Sequence, residues 1–177
     1  MSLSWWKKVF NETKSEAEKI RGVRVEELNG YINSLNKSWP ENLPSGVIHA
    51  DLFPDNVFFD DGKISGVIDF YFACNDFFAY DIAICMNAWC FENNGEFNIT
   101  KARNLLSSYN GVRKISAAEL KALPTLAAGA AMRFLMSRLY DWLNPVDGAI
   151  VKPKDPMEYM KKLRFHMNVK NYREYGL

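Results

Sequence analysis

Apolar residues recur at helical spacing in the first part of the chain. Four of them lie three or four positions apart between residues 25 and 36: Val25, Leu28, Ile32 and Leu35. This spacing places them on one face of an amphipathic helix. The more charged stretch from Val9 to Arg21 also has a helical composition. Pro40 and Pro44 then end the helical pattern, because proline cannot continue a helix and restricts the residue before it.

A β-hairpin is predicted near the middle of the chain. Two apolar runs, 57–59 and 64–70, flank the sequence Asp60-Asp61-Gly62-Lys63. Asp-Gly between such runs is the strongest short-range signal for a hairpin. We therefore expect two short strands. They follow a short apolar run, 46–51, that ends in polar residues.

The rest of the chain has helical patterns. Residues 79–91 are nearly all apolar and predict a buried helix. Ser116 and Glu119 have the spacing of a capping box, and a long helix over 120–142 follows them. Residues 156–166 form a last amphipathic pattern. The sequence thus predicts a single domain over residues 1–177 that is mainly α with a small β-hairpin.

Composition excludes several classes of function. The 177 residues carry 22 Lys and Arg against 21 Asp and Glu, so the net charge of +1 gives no electrostatic case for nucleic acid or an anionic membrane. The most apolar stretch, 123–136, contains Arg133 and is too short to cross a bilayer. Three cysteines and two distant histidines do not form a zinc-binding pattern. We expect a cytoplasmic protein.

The residues with the clearest chemistry are His49-x-Asp51-x-x-x-x-Asn56, followed by Asp69 after the hairpin. Kinases of the protein-kinase superfamily use a loop of this spacing. In such a loop Asp51 would take the proton of the acceptor hydroxyl, while Asn56 and Asp69 would offer oxygen atoms to Mg²⁺. His49 would brace the loop rather than react.

The same residues carry a family resemblance. Val47 to Asn56 resembles the catalytic loop of the aminoglycoside phosphotransferase and choline kinase superfamily, and Val67 to Phe70 resembles its metal-binding strand. Tyr80 to Ala83 resembles the helix start that follows. The resemblance implies the C-terminal, helical lobe of the protein-kinase-like fold, with ATP and Mg²⁺ as cofactors.

Three segments more narrowly resemble the kinase-fold homoserine kinases of bacteria: 49–57, 69–89 and 133–159. Together the similar segments span about residues 40–166. This resemblance implies phosphorylation of a small hydroxyl compound, with L-homoserine, a precursor in threonine biosynthesis, as the favoured acceptor. Choline and aminoglycosides are the alternative acceptors.

The resemblance also implies roles for residues outside the loop. The counterpart of Asp81 accepts hydrogen bonds from the catalytic-loop backbone, and an N-cap of the next helix is a compatible alternative. Phe58 and Ile68 would form the apolar floor under the adenine, with a plain hairpin core as the alternative. Independently of the resemblance, Trp89 could line a substrate pocket, but aromatic residues at helical spacing are usually core, and this is what the pattern predicts for it.

The sequence departs from the family before the loop. It has no Gly-x-Gly-x-x-Gly motif, and the residues ahead of the loop have helical patterns, not the strands of an ATP-clamping N-terminal lobe. We expect the chain by itself to be inactive and to expose an apolar surface near Phe58 and Ile68 that favours dimers. A catalytically silent lobe that binds a partner chain is the alternative function.

The long helix also offers candidates for binding the acceptor. Arg133 and Arg138 interrupt an apolar helix, and an arginine fork suits the carboxylate of homoserine. Asp76 or Asp141 would lie near its ammonium group. An internal ion pair between Arg138 and Asp141, three residues apart, is an equally good interpretation of the same pattern.

Overall fold

A computed structural model describes residues 3–145 and 152–177. Residues 146–151, which belong to the third of the resembling segments, lie outside the described residues. The described chain contains six α-helices, which in order are α1 (Leu3–Ala17), α2 (Val25–Ser38), α3 (Phe78–Trp89), α4 (Ile99–Val112), α5 (Ala117–Leu143) and α6 (Pro156–Asn168). None of them has the length and apolarity needed to span a bilayer.

The described residues also form four short strands in two antiparallel pairs. They are β1 (Ser45–Ile48), β2 (Val57–Asp60), β3 (Lys63–Val67) and β4 (Cys74–Phe77). Strands β2 and β3 form the hairpin expected from Asp61-Gly62, with an irregularity in register between Phe58 and Phe59. The prediction of only one hairpin was incomplete, because β1 pairs with β4 in a second sheet. Strand β4 has no alternating pattern of its own and depends on a partner almost thirty residues earlier.

The chain divides into two compact units, each made of two segments. Unit 1 contains residues 1–39 and 128–168, and unit 2 contains residues 40–127 and 169–177. The boundary falls inside α5, after Ala127.

Helices α1 and α2 pack together in unit 1. The first helix begins and ends earlier than the predicted 9–21, because its buried stripe starts at Trp6 and ends at Ala17. The ring of Trp6 meets that of Trp39 edge to face, with centroids 5.4 Å apart. Gly129 faces both rings, and a Cβ there would collide with the ring of Trp39. Glycine at this position therefore permits the helix to approach the aromatic pair.

Unit 1 also buries several charged or titratable groups. Glu158 accepts hydrogen bonds from Arg138 Nη1 at 2.6 Å and from Lys162 Nζ at 2.7 Å. Partial desolvation raises the pKa of the half-exposed Glu158 carboxyl, but the hydrogen bonds from Arg138 and Lys162 and their positive charges outweigh it, so the net shift of the pKa is downward. His166 on the same helix is fully buried, and this burial lowers its pKa to about 3. Helix α6 is thus held by polar contacts as well as by its apolar face.

Unit 2 is centred on α3, which packs against β1, β4 and α4. Its residues Ile82, Ala83, Ile84 and Met86 are buried, as the apolar pattern predicted.

The predicted capping box at the start of α5 is confirmed. Ser116 N–H donates to Glu119 Oε2 at 2.9 Å, and Glu119 N–H donates to Ser116 Oγ at 3.2 Å.

Candidate active site

The segment from His49 to Asn56 connects β1 to β2 in unit 2 and is called the catalytic loop below. Its first two amides bind one carboxylate from α3. His49 N–H donates to Asp81 Oδ2 at 3.1 Å, and Ala50 N–H donates to Asp81 Oδ1 at 2.9 Å. The N-cap of α3 is Phe77 and not Asp81, so Asp81 contributes to the loop instead of capping its own helix.

Ala50 has an unusual backbone conformation. Its φ angle is +62°, in the left-handed region that residues with a Cβ rarely adopt. Such a conformation costs free energy and persists only where neighbouring contacts enforce it. The bond from its own amide to Asp81 and the adjacent bond from His49 supply those contacts. The turn that presents Asp51 therefore depends on Asp81.

His49 links the loop to the end of β3. Its Nδ1 accepts a hydrogen bond from Asp51 N–H at 3.3 Å, so the proton of the neutral ring is on Nε2. Nε2 lies 2.9 Å from the carbonyl oxygen of Ile68 and donates to it. The ring also packs against that of Phe70, with centroids 4.6 Å apart. These contacts agree with a bracing role for His49.

Asn56 is tied to Asp51 through the main chain. Asn56 Nδ2 donates to the carbonyl oxygen of Asp51 at 2.8 Å, and Phe53 N–H donates to the same oxygen at 2.8 Å. This arrangement assigns the amide nitrogen of Asn56 to the loop and leaves Oδ1 as the atom able to bind a cation.

Asp69 is the second residue after the end of β3 and stands directly before a turn of 3₁₀ helix over Phe70–Phe72. Its φ and ψ are 63° and 57°, again left-handed, and its side chain is exposed. The preceding residue is fixed by a bond from Ile68 N–H to the carbonyl oxygen of Asn56 at 3.0 Å. The hairpin thus returns the chain to the end of the catalytic loop. Asp69 is the residue that directly follows this contact with Asn56.

These oxygen atoms fit a hard divalent cation. Asn56 offers an amide oxygen and Asp69 a carboxylate, which are the ligand types that Mg²⁺ prefers. No group of three His, Cys, Asp or Glu within the described residues has the arrangement of a metal site. In phosphotransferases the phosphates of the nucleotide supply much of the remaining coordination, so two protein ligands are consistent with that use.

The hairpin has an exposed apolar face. Phe58 is 51% exposed and Ile68 is 47% exposed, so neither forms the buried core that was the alternative to an adenine floor. Other large apolar residues nearby in sequence are also exposed: Phe59, Ile64, Val67, Phe70, Tyr71 and Phe72. Exposed apolar patches of this kind mark surfaces that bind a ligand or another protein surface.

The candidate acceptor-binding residues are divided between the units. Asp76 lies in β4 of unit 2, where its Oδ1 accepts from Phe77 N–H at 2.8 Å. Arg133, Arg138 and Asp141 lie on α5 in unit 1. Arg138 pairs with Glu158 rather than with Asp141, and its guanidinium stacks over the ring of Tyr159 at 4.4 Å. The spacing on α5 alone did not reveal this partner on α6.

For Trp89 the sequence favoured a packing role over a place in the lining of a substrate pocket. In the structure its indole Nε1–H donates to the carbonyl oxygen of Leu52, in the catalytic loop, at 2.8 Å. The available signal was chemical: a partly buried tryptophan usually finds an acceptor for its N–H. The pattern along the chain could not name that acceptor, which is 37 residues away.

Removal of the Asp81 carboxylate should destabilise unit 2. Asp81→Ala leaves the amides of His49 and Ala50 without their acceptor, so we expect the free energy of unfolding to fall by about 1–3 kcal/mol. Urea denaturation of the chain measures it. Asp60→Ala, at an exposed position at the end of β2, is the control and should change stability by less than about 0.5 kcal/mol. Equal stability of Asp81→Ala and the wild type would contradict the supporting role.

The chain is similar to known kinases in sequence and in fold. Homoserine kinases from Xanthobacter autotrophicus and Rhodospirillum rubrum are 54% and 56% identical to the whole chain, which spans 55% of the length of each. An ethanolamine kinase structure from Plasmodium vivax matches 98% of the chain and 50% of its own, with a TM-score of 0.61 and 18% identity. The fold is that of the helical C-terminal lobe of protein-kinase-like enzymes. A model of the phosphotransferase enzyme family matches residues 5–115, more than half of the chain. The chain therefore belongs to the phosphotransferase enzyme family.

Proposed function

We propose that the chain is the C-terminal lobe of an ATP-dependent kinase that phosphorylates the hydroxyl group of L-homoserine in the cytoplasm. The observation that carries this proposal is the similarity of all 177 residues to homoserine kinases at 54–56% identity. The hydrogen-bonded loop around Asp51 supports the chemistry. Because the chain spans about half the length of those relatives, the proposal concerns a longer polypeptide that also contains an N-terminal lobe.

Asp51 is the proposed catalytic base. Its main-chain N–H and C=O are held by His49 and Asn56, so its position in the loop is fixed before the acceptor binds. In the proposed reaction the acceptor hydroxyl gives its proton to the Asp51 carboxylate while its oxygen bonds to the γ-phosphorus of ATP. The bond between that phosphorus and the bridging oxygen breaks, and ADP leaves.

Asn56 and Asp69 are the proposed ligands of Mg²⁺. When bound, Mg²⁺ neutralises phosphate charge as the phosphoryl group is transferred. Phe58 and Ile68 are proposed as the apolar surface under the adenine, an assignment supported by their exposure on the hairpin.

Arg138, or alternatively Arg133, is proposed to bind the carboxylate of homoserine, with Asp76 or Asp141 near its ammonium group. Two features of unit 1 support an anion near Arg138. Arg138 and Lys162 are 9% and 5% exposed, and both donate to the carboxylate of Glu158. Cations with so little access to water are stabilised by carboxylate partners, and the planar fork of Arg138 suits the carboxylate of homoserine.

A catalytically silent lobe that binds a partner chain is the second candidate. The exposed face of the hairpin favours it, because so much apolar surface is unusual for a monomer in water. The same face suits the N-terminal lobe of a complete kinase. Turnover by the longer polypeptide distinguishes the two candidates.

Substitutions at the metal and base positions should have different effects in the full-length kinase. Asp51→Asn should lower kcat by about 10²–10⁴-fold with little change in ATP affinity, because Asp51 meets the acceptor. Asp69→Asn should lower turnover and raise the Mg²⁺ concentration required. Asp55→Asn, exposed in the same loop, is the control. Steady-state kinetics at several Mg²⁺ concentrations test both variants, and a fully active Asp51→Asn variant would refute the base assignment.

The 177-residue chain by itself should bind ATP·Mg weakly, turn over negligibly and self-associate. Its hairpin face is exposed and its sequence has no glycine-rich phosphate loop. Calorimetry, a coupled kinase assay and sedimentation velocity measure these properties. Phe59→Ser on the hairpin should reduce association, whereas Val112→Ser, exposed at the end of α4, should not. Robust turnover by this chain would show that a second lobe is not needed.

The acceptor proposal predicts a specific kinetic change. In the full-length kinase Arg138→Lys should raise the KM for homoserine by about 10-fold and leave the KM for ATP unchanged, since lysine cannot form the bidentate pair. Arg133→Lys tests the alternative residue. Arg173→Lys, at an exposed position, is the control. If the KM for homoserine is unchanged in both Arg133→Lys and Arg138→Lys, the ion pair with Glu158 would be the only remaining role of Arg138.

A further inference from the structure

Helix α3 contacts the catalytic loop at both of its ends. In its first turn Asp81 binds the amides of His49 and Ala50, on the N-terminal side of Asp51. In its last turn Trp89 binds the carbonyl oxygen of Leu52, on the C-terminal side of Asp51. The two helix residues are eight positions apart, about 12 Å along the axis. One rigid element therefore holds the loop on either side of Asp51.

The bond from Trp89 completes the fixation of the backbone after Asp51. The carbonyl oxygen of Asp51 accepts from Phe53 N–H and Asn56 Nδ2, which sets the first peptide plane after its Cα. The carbonyl oxygen of Leu52 accepts from the indole of Trp89, which sets the second plane. The two peptide planes that follow the Cα of Asp51 thus both have defined hydrogen-bond donors.

We propose that Trp89 is a positioning residue for phosphoryl transfer, which acts by holding the Leu52 carbonyl and thereby the placement of Asp51. The inference rests on the proposed function. Small displacements of a reacting group are costly in catalysis, since a shift of about 1 Å can lower the rate 10²-fold. Trp89 does not itself meet the reacting atoms in this assignment. The indole N–H of Trp89, and not its aromatic bulk, is the group that positions Asp51 in this proposal.

The chain offers a matched control for a test of that N–H. Trp6 is buried, whereas Trp89 is partly buried, and within the described part of the chain the indole nitrogen of Trp6 has no hydrogen-bond partner. Trp89→Phe and Trp6→Phe therefore both trim a tryptophan, and only the first removes a hydrogen bond to the catalytic loop. In the full-length kinase Trp89→Phe should lower kcat by about 10-fold, with the KM values for ATP and homoserine within about twofold of wild type. Trp6→Phe should leave kcat unchanged.

A change in packing alone would not give this result. Loss of aromatic volume lowers stability and the folded fraction in both variants, whereas displacement of Asp51 lowers kcat per folded molecule. The enzyme concentration used to calculate kcat is therefore multiplied by the folded fraction, which is measured by circular dichroism. If Trp89→Phe does not fold, replacement of Trp89 by 3-benzothienylalanine keeps the ring shape and removes only the N–H. A wild-type kcat in the folded variant with no N–H would overturn the proposal.

A second measurement on the 177-residue chain does not depend on kinase activity. Hydrogen–deuterium exchange of residues 49–56 should become at least about 10-fold faster in Trp89→Phe and stay unchanged in Trp6→Phe, because only the first frees the loop. Unchanged loop exchange in Trp89→Phe would overturn the positioning role. A wild-type full-length polypeptide with no ATP-dependent phosphorylation of homoserine would instead refute the proposed function, and the exchange result would still decide whether Trp89 holds the loop.

Discussion

The candidate site depends on one carboxylate that binds two consecutive amides. Asp81 accepts from His49 N–H and Ala50 N–H, and Ala50 is in the left-handed conformation that turns the chain toward Asp51. An alanine does not adopt that conformation without compensation, since the strain is of order 1–3 kcal/mol. Two hydrogen bonds to a charged acceptor are strong enough to offset it. The loop geometry is thus a consequence of a residue thirty positions away.

The features that the sequence could predict are those set by neighbouring residues. Asp61-Gly62 determines the hairpin, Ser116 and Glu119 determine the start of α5, and the apolar run of α3 determines its burial. The hairpin and the helix start depend on contacts within a few positions, and the burial of α3 follows from the apolar composition of one continuous segment, so a linear pattern records all three. The pairing of β1 with β4 escaped prediction because neither strand carries the alternation that would identify its partner.

The candidate site residues also divide into those identified by local spacing and those held by contacts between distant parts of the sequence. The spacing of His49, Asp51 and Asn56 identifies the loop, since the hydrogen bonds among them join residues two to five positions apart. The link from Trp89 to Leu52 and the pairing of Arg138 with Glu158 join separate elements, and the sequence offered no rule for choosing these partners. As an internal partner for Arg138 it offered Asp141 on the same helix, because contacts between adjacent turns of one helix are the ones that spacing defines.

The loop also separates the groups that hold it from the group that would react. Three hydrogen bonds join the main chain of Asp51 to its neighbours: its N–H donates to His49, and its C=O accepts from Phe53 and Asn56. The side chains that position the loop belong to His49, Asn56, Asp81 and Trp89. These main-chain contacts do not depend on the charge of the Asp51 carboxylate. If Asp51 is the base, as proposed, the proton transfer that would change this charge would leave the main-chain contacts in place, so this part of the site would not need to reorganise.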